Sequence, residues 1–159
     1  MSNNTPASYA LSIQGIPHRE FQHPGPIHSL EQAAAERGQN PDQIVRSIVF
    51  RVGKSEFVMV LIAGPRQVSW PGLRTHLGQS RMTMATNDEV LSVTGYSPGA
   101  VSPFGLPVPM RILADAGIFL PDEISIGSGV RGTTIIMLSS DLKKALGDVE
   151  IGDFSTKNS

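Results

Sequence analysis

The fold is decided by the sequence SIVFRVGKSEFVMVLIA, which runs from Ser47 to Ala63. Residues 47–52 and 56–63 are rich in β-branched and large apolar side chains, a composition that favours strands. The short turn Gly53-Lys54-Ser55 separates them, so the stretch is predicted to form a β-hairpin. Because its second strand is continuously apolar from Phe57 to Ile62, that strand is predicted to be buried on both faces.

Helix signals lie upstream of the hairpin. Ser29 and Gln32 have the spacing of a capping box, which predicts a helix over residues 30–37. Gly38 is placed to end that helix. The pair Asn40-Pro41 then predicts a second, short helix, with asparagine as its cap and proline at its first position.

Downstream, helices and strands are mixed. Ser69 is predicted to cap a helix ending near Gly78, and the capping box from Thr86 to Glu89 opens a helix that stops at Gly95. A last helix is predicted over residues 141–146, capped by Ser140. Further strands are predicted at residues 81–84, 108–113, 118–120, 124–126 and 133–138. Because strands and helices do not alternate strictly, the fold class is predicted to be α+β.

The composition limits the function classes. The chain has 159 residues and a net charge of −1, which favours a single domain spanning residues 1–159 and argues against wrapping a long nucleic acid. With no cysteine, disulfides and thiolate metal sites are excluded. No signal pattern or membrane-length apolar run occurs, so a cytoplasmic location and no membrane partner are expected. Residues 1–8 and 155–159 are predicted to be loose polar tails.

Two glycine-rich loops are candidate sites. In the loop from Gly95 to Gly105, glycines permit close approach to a ligand and prolines stiffen the backbone, so N–H groups could be held toward an ester oxygen. Composition alone favours a structural turn there. The loop from Gly127 to Gly132 carries Arg131 and could cradle a phosphate, although a hairpin turn explains it equally well.

Single side chains give weaker signals. Arg46 lies where the short helix meets the first strand, and a cation there could face a cleft, although an ordinary surface arginine is the simpler interpretation. Three histidines, His18, His23 and His28, lie around a Pro-Gly-Pro loop and could bind a metal, but they are better interpreted as solvated loop residues, because no carboxylate or cysteine has the spacing of a metal site. No metal and no cofactor are predicted.

Five stretches of this chain resemble, in the same order, the YbaK family, which is also called the prolyl-tRNA-synthetase-associated domain family. The pattern Gly-x-x-x-Gly-x-Val-x-Pro-x-Gly, followed by Gly-Ser-Gly-x-Arg-Gly, carries the most specific part of this resemblance. The stretches are SLEQAA (residues 29–34), QIVRSIVF (43–50), MATNDEV (84–90), TGYSPGAVSPFG (94–105) and SGVRG (128–132).

The resemblance implies a mixed β-sheet, partly barrel-like and flanked by helices. It also implies hydrolysis of the ester bond of mischarged aminoacyl-tRNA, assisted by backbone N–H groups and by a hydroxyl of the substrate ribose. The implied partners are the aminoacyl-tRNA acceptor end and a synthetase, with no DNA. The family has a lysine where this chain has Arg46, which keeps the charge but changes its geometry.

The resemblance also assigns roles to residues of this chain. The residues expected to act on the ester are Arg46, Gly99, Ala100, Val101 and Ser102. The residues expected to bind the substrate are Gly95, Pro103, Gly105, Ser128, Gly129, Arg131 and Gly132.

Two other functions remain open from the sequence. The same pocket could bind an aminoacyl-adenosine end, a free amino acid or a synthetase without hydrolysing anything. The loop from Gly127 to Gly132 could instead bind a nucleotide or phosphate. The amino acid, the tRNA and the oligomeric state are not encoded in any motif of this sequence.

Overall fold

The computed structural model describes residues 5–157. In this part of the chain the helices are α1 (Pro6–Ile13), α2 (Leu30–Arg37), α3 (Trp70–Leu77), α4 (Asn87–Thr94) and α5 (Ser139–Leu146), with 3₁₀ turns at Pro41–Gln43 and Ala116–Phe119. The strands are β1 (Arg19–Gln22), β2 (Ile44–Val52), β3 (Glu56–Ala63), β4 (Gln67–Val68), β5 (Met82–Met84), β6 (Arg111–Asp115), β7 (Glu123–Gly127), β8 (Thr133–Leu138), β9 (Glu150–Gly152) and β10 (Ser155–Thr156).

Eight of the strands in residues 5–157 form one mixed sheet. Its order is β1-β8-β7-β2-β3-β6-β9, with β5 paired to β2. The pairs β2–β7, β3–β6 and β6–β9 are parallel, and the remaining neighbours are antiparallel. The mixed sheet flanked by helices is therefore confirmed. Over the described strands the sheet is open, with β1 and β9 at its two ends.

The edge of β2 that faces away from β3 has two different partners. Its first residues, Ile44 and Val45, pair with β7, whereas the segment from Phe50 to Val52 pairs with β5. The segment 46–49 between them has no strand partner on that edge within the described chain. The sheet therefore opens a gap beside the middle of β2.

The hairpin of β2 and β3 is confirmed, and it occupies the middle of the sheet. From Val58 to Ala63 every residue of β3 is buried, as the continuous apolar run predicts. The predicted helices over residues 30–37 and 70–77 are confirmed, and Gly38 and Gly78 end them in the left-handed conformation. The capping box at Thr86 is confirmed as well.

Three local predictions are wrong. Residues 118–120 do not form a strand, because the Asp115 carboxylate caps a 3₁₀ turn by accepting a hydrogen bond from the N–H of Gly117. The last helix begins at Ser139, one residue before its predicted cap Ser140. The strand predicted from residue 108 begins only at Arg111.

The predicted polar tails are also wrong wherever the structure describes them. Thr5 caps α1, and its hydroxyl and N–H both donate to the carboxylate of Glu20. Ala7 and Leu11 of that helix are fully buried. At the other end, β10 pairs with β4, and Ser155 is buried. Residues 1–4 and 158–159 of the predicted tails lie outside the described part. No helix within residues 5–157 is long and apolar enough to span a membrane.

Candidate active site

A cleft with two compartments lies at the gap beside β2. The smaller compartment, called the inner one, has a volume of about 230 Å³, and the larger, called the outer one, has a volume of about 630 Å³. Five residues line both compartments and so mark their junction: Ile27, Arg37, Ile44, Gly99 and Gly132.

The two glycine-rich loops meet at this cleft. The N–H of Gly129 donates to the carbonyl of Ala100 at 2.9 Å. A Cβ on Gly127 would lie only 2.0 Å from the carbonyl oxygen of Val101, so only glycine allows β7 to approach the first loop this closely. The sequence predicted both loops as sites, and the fold brings them into contact.

Helix α1 packs against the back of both loops. The N–H of Ala7 donates to the carbonyl of Ser128 at 3.0 Å. Side chains on Gly105 or Gly129 would come within 3.1 Å of Pro6. The N-terminal helix is therefore part of the support of the site, which the prediction of a polar tail missed.

The first loop presents its backbone to the cleft. Gly99 and Val101 line the inner compartment. Within residues 5–157 their N–H groups have no acceptor, whereas the N–H of Ala100 donates to the carbonyl of Ser97. Gly99 is exposed and has a φ of 90°, a conformation that disfavours any other residue. Two N–H groups of the loop therefore have no acceptor within residues 5–157.

Several predicted residues support the loops and do not line the cleft. Ala100 and Pro103 are buried, and the hydroxyl of Ser102, also buried, accepts from the N–H of Phe104. The hydroxyl of Ser128 donates to the carbonyls of Val130, in its own loop, and Thr133, at the start of β8. Gly129 contacts the first loop, as described above.

Gly95 and Gly105 also lie away from the cleft wall. Gly95 ends α4 in the left-handed conformation. Gly105 has a φ of 76°, and a Cβ there would lie 2.6 Å from the hydroxyl oxygen of Tyr96. That hydroxyl in turn donates to the carbonyl of Phe104, and burial raises its pKa. Both glycines therefore shape the loop, whereas Arg131 is exposed and lines the outer compartment.

Arg46 lies on the cleft wall, but its guanidinium is engaged elsewhere. Nε donates to the carbonyl of Gly64 at 2.8 Å, and Nη2 donates to the carbonyl of Arg66. Burial lowers the pKa of Arg46. The side chain thus fixes the loop after β3 to the middle of β2.

Ser47 presents a hydroxyl on the opposite face of β2. Side chains alternate along a strand, so Ser47 faces the same side as Val45 and Val49, and Arg46 faces the other side. The Ser47 Oγ is buried and has no hydrogen-bond partner among residues 5–157. A buried hydroxyl without a partner in the wall of a cleft is a position for a water molecule or a ligand atom.

A third cation at the cleft, beside Arg46 and Arg131, was not predicted. Arg37, the last residue of α2, lines both compartments. Its Nε donates to Nε2 of His23 at 3.0 Å, and Nη1 donates to Ser125 Oγ at 2.8 Å. No sequence pattern signals this role, because a basic residue in the last turn of a helix is common for electrostatic reasons.

His23 is buried, so the interpretation of the histidines as solvated loop residues is wrong for this one. Arginine can only donate, so the Nε2 atom that receives the bond from Arg37 carries the lone pair. Nδ1 therefore carries the hydrogen and donates to Glu36 Oε1 at 2.5 Å. This bond is the main reason why the pKa of Glu36 is lowered.

Comparison with known proteins gives one family. The model of the aminoacyl-tRNA editing domain matches residues 24–145. Proline–tRNA ligase of Thermosipho melanesiensis is 32% identical over 119 residues, which are 75% of this chain and 21% of the ligase. The same enzyme of Trichlorobacter lovleyi is 33% identical over 100 residues, 63% of this chain and 17% of the ligase. The chain thus spans about a fifth of the length of these relatives.

Solved structures share the fold. One is described as a candidate trans-editing enzyme for prolyl tRNA synthetase, with a TM-score of 0.86, 23% identity and 95% of both chains covered. Another, of a hypothetical protein, has a TM-score of 0.86 and 21% identity over 95% of this chain and 99% of that one. The resemblance to the YbaK-like domains is confirmed, and the chain belongs to the aminoacyl-tRNA editing domain family.

Proposed function

We propose that this protein hydrolyses the ester bond of mischarged aminoacyl-tRNA. The observation that carries the proposal is that Gly99 and Val101 line the cleft while their backbone N–H groups have no acceptor in the described chain. Fixed N–H groups are suited to stabilise the negative charge that develops on an ester oxygen during hydrolysis. The family membership supports the same reaction.

The two compartments suggest how the substrate would bind. The aminoacyl group occupies the smaller inner compartment and the terminal adenosine the larger outer one, so that the ester lies at their junction beside Gly99. Arg131, exposed at the outer compartment, would contact a phosphate of the acceptor end. Since the curated relatives are proline–tRNA ligases, we propose proline tRNA as the carrier.

The reaction needs no covalent intermediate with the protein. Water adds to the ester carbonyl carbon, and the carbonyl electron pair moves onto its oxygen, which the loop N–H groups stabilise. Collapse of this intermediate breaks the bond to the ribose oxygen, which takes up a proton while the amino acid leaves. The neighbouring ribose hydroxyl assists by orienting the water, so much of the catalysis is positioning.

The test is release of amino acid from proline tRNA charged with a panel of labelled non-cognate amino acids. We expect release above buffer for at least one of them. Arg131→Ala is expected to raise KM about two- to fivefold through the lost phosphate contact, because an exposed charge contact contributes no more than about 1 kcal/mol. Arg81→Ala, an exposed cation outside both compartments, is the matched control. No release from any charged tRNA overturns the proposal.

A second candidate is a binding module that holds the aminoacyl-adenosine end or a synthetase without turnover. It is favoured by the guanidinium of Arg46, which is bound to two backbone carbonyls at the position where the resemblance implies a lysine. A non-hydrolysable aminoacyl-adenosine amide distinguishes the two candidates. Binding of the amide together with no hydrolysis of any ester supports the module.

A further inference from the structure

The guanidinium group of Arg37 is held in place and is still able to donate further hydrogen bonds to the cleft. Two atoms of Arg37, Nε and Nη1, donate to His23 and Ser125. Its Nη2 has no acceptor among residues 5–157. Because an arginine Nη2 carries two N–H groups, this atom keeps two donors for a ligand.

The position of Arg37 matches that of the reacting bond. Arg37 and Gly99 both line the inner and the outer compartment. An ester that joins an aminoacyl group in one compartment to a ribose in the other has to pass this junction. In this binding mode the guanidinium of Arg37 would lie beside the carbonyl oxygen that becomes negatively charged.

The buried side chain of His23 fixes the orientation of Arg37. The side chain of His23 is only 1% exposed, and it is bound between Glu36 and Arg37. Burial lowers the pKa of Arg37 to about 10, which leaves the guanidinium charged at neutral pH. A prearranged charge of this kind requires little reorganisation during the reaction.

Arg46 also keeps an Nη1 group without an acceptor among residues 5–157, but it lines the inner compartment and not the junction with the outer one, so it is less suited to this role. Its guanidinium donates to the carbonyls of Gly64 and Arg66, on the face of β2 opposite to Ser47. Releasing it would leave two carbonyl groups of the loop after β3 without this donor. Arg46 thus holds the loop after β3, whereas Arg37 lies at the junction of the two compartments.

We propose that Arg37 is a catalytic residue, whose Nη2 donates to the ester oxygen as it becomes negative, and that Arg46 is structural. This inference rests on the proposed hydrolysis of aminoacyl-tRNA. It differs from the assignment made by family resemblance, which placed the catalytic cation at Arg46.

The test is chemical rescue of Arg37→Ala, measured on the charged tRNA that the parent hydrolyses best. Loss of one donor to an oxyanion is expected to lower kcat about 100-fold or more, with little change in KM. Free guanidinium ion at millimolar concentration is expected to restore kcat in a saturable way in this variant and to leave the parent unaffected. A purely structural role of Arg37 would show no such rescue.

Arg46→Ala is the comparison. We expect this variant to lose thermal stability and to retain a larger share of kcat than Arg37→Ala. If Arg46→Ala abolishes kcat and is rescued by guanidinium while Arg37→Ala stays within about fivefold of the parent, the assignment is overturned. A parent that hydrolyses nothing defeats the proposed function itself, which is a separate result.

A lysine variant covers the case in which Arg37→Ala does not fold. An ammonium group cannot reproduce the planar fork that contacts His23, Ser125 and the substrate together. Arg37→Lys is therefore expected to lower kcat at least about tenfold while the folded protein is retained by circular dichroism. An unchanged kcat in that variant also overturns the assignment.

Discussion

Replacing Gly127 by alanine tests how the two loops of the cleft are held together. The added Cβ would lie 2.0 Å from the carbonyl oxygen of Val101, and ordinary contact begins at 3.4 Å. Either the loop or the end of β7 has to move by about 1.4 Å, the difference between these distances. The atoms that the added Cβ would meet, the carbonyl oxygen and carbon of Val101, belong to the backbone, so no side-chain rotation relieves the contact.

The cost follows from two terms. Overpacking of a closely fitted site costs about 1–3 kcal/mol. Separation of the loops also breaks the hydrogen bond from the Gly129 N–H to the Ala100 carbonyl, a loss of about 1 kcal/mol. We expect Gly127→Ala to lower the free energy of unfolding by about 2–4 kcal/mol, and Tm by about 5–15 °C for a chain of this size.

The measurement is urea unfolding, together with a thermal scan and the rate of ester hydrolysis. Gly25→Ala is the matched control, because a Cβ at Gly25 has nothing within 4 Å and its φ is not positive. The control is expected to stay within about 0.5 kcal/mol of the parent. If Gly127→Ala is equally mild, the close contact between β7 and the loop does not support the site, and the reasoning fails.

Two further predictions concern the C-terminal part of the chain. The buried carboxylate of Asp115 accepts hydrogen bonds from the Phe154 N–H and the Ser155 hydroxyl. Asp115→Ala is therefore expected to lower the free energy of unfolding, measured in urea, by about 2–4 kcal/mol. A loss below about 1 kcal/mol would contradict this expectation. Arg111 donates two hydrogen bonds to the carboxylate of Glu150, and this bidentate contact lowers the pKa of Glu150 to about 2. Because this folded-state pKa is depressed, the pair stabilises the fold above the ordinary value of 4.5, and the stabilisation is lost as pH falls toward 2. Since the Glu150 side chain is 35% exposed, the difference between the parent and Glu150→Gln should stay below about 1 kcal/mol at pH 7 and shrink as the pH approaches 2. A difference independent of pH would show that the ion pair is not its source.

Local signals predicted most of the fold, because they depend on neighbouring residues. The hairpin of β2 and β3 follows from apolar runs around a short turn, and α2 follows from a cap and a terminal glycine. The pairing of short strands such as β1 and β9 does not follow from local pattern. Such short segments form strands only because the tertiary arrangement places a neighbouring strand beside them. The polar composition of the C-terminal residues likewise predicted an unstructured tail.

The part of the candidate site that is formed by glycine-rich backbone could be predicted from the sequence, because glycines mark loops of unusual conformation. Gly99 and Gly132 line the cleft as the loops suggested. The side chains Arg37 and His23 could not be found in this way, because their contact depends on how α2 lies against β1 and β7. Likewise, the sequence places Arg46 beside the cleft but cannot show which carbonyls its guanidinium binds.

The contact of α1 with the second loop has a consequence for the order of folding. Ala7 and Ser128 are joined by a hydrogen bond across about 120 residues of chain, and closing so large a loop is entropically costly and slow. The hairpin of β2 and β3 needs no such closure and can form early. During synthesis the N-terminal helix therefore has to wait for the loop after β7 to emerge, and the support of the cleft is among the last parts of the nascent chain to form.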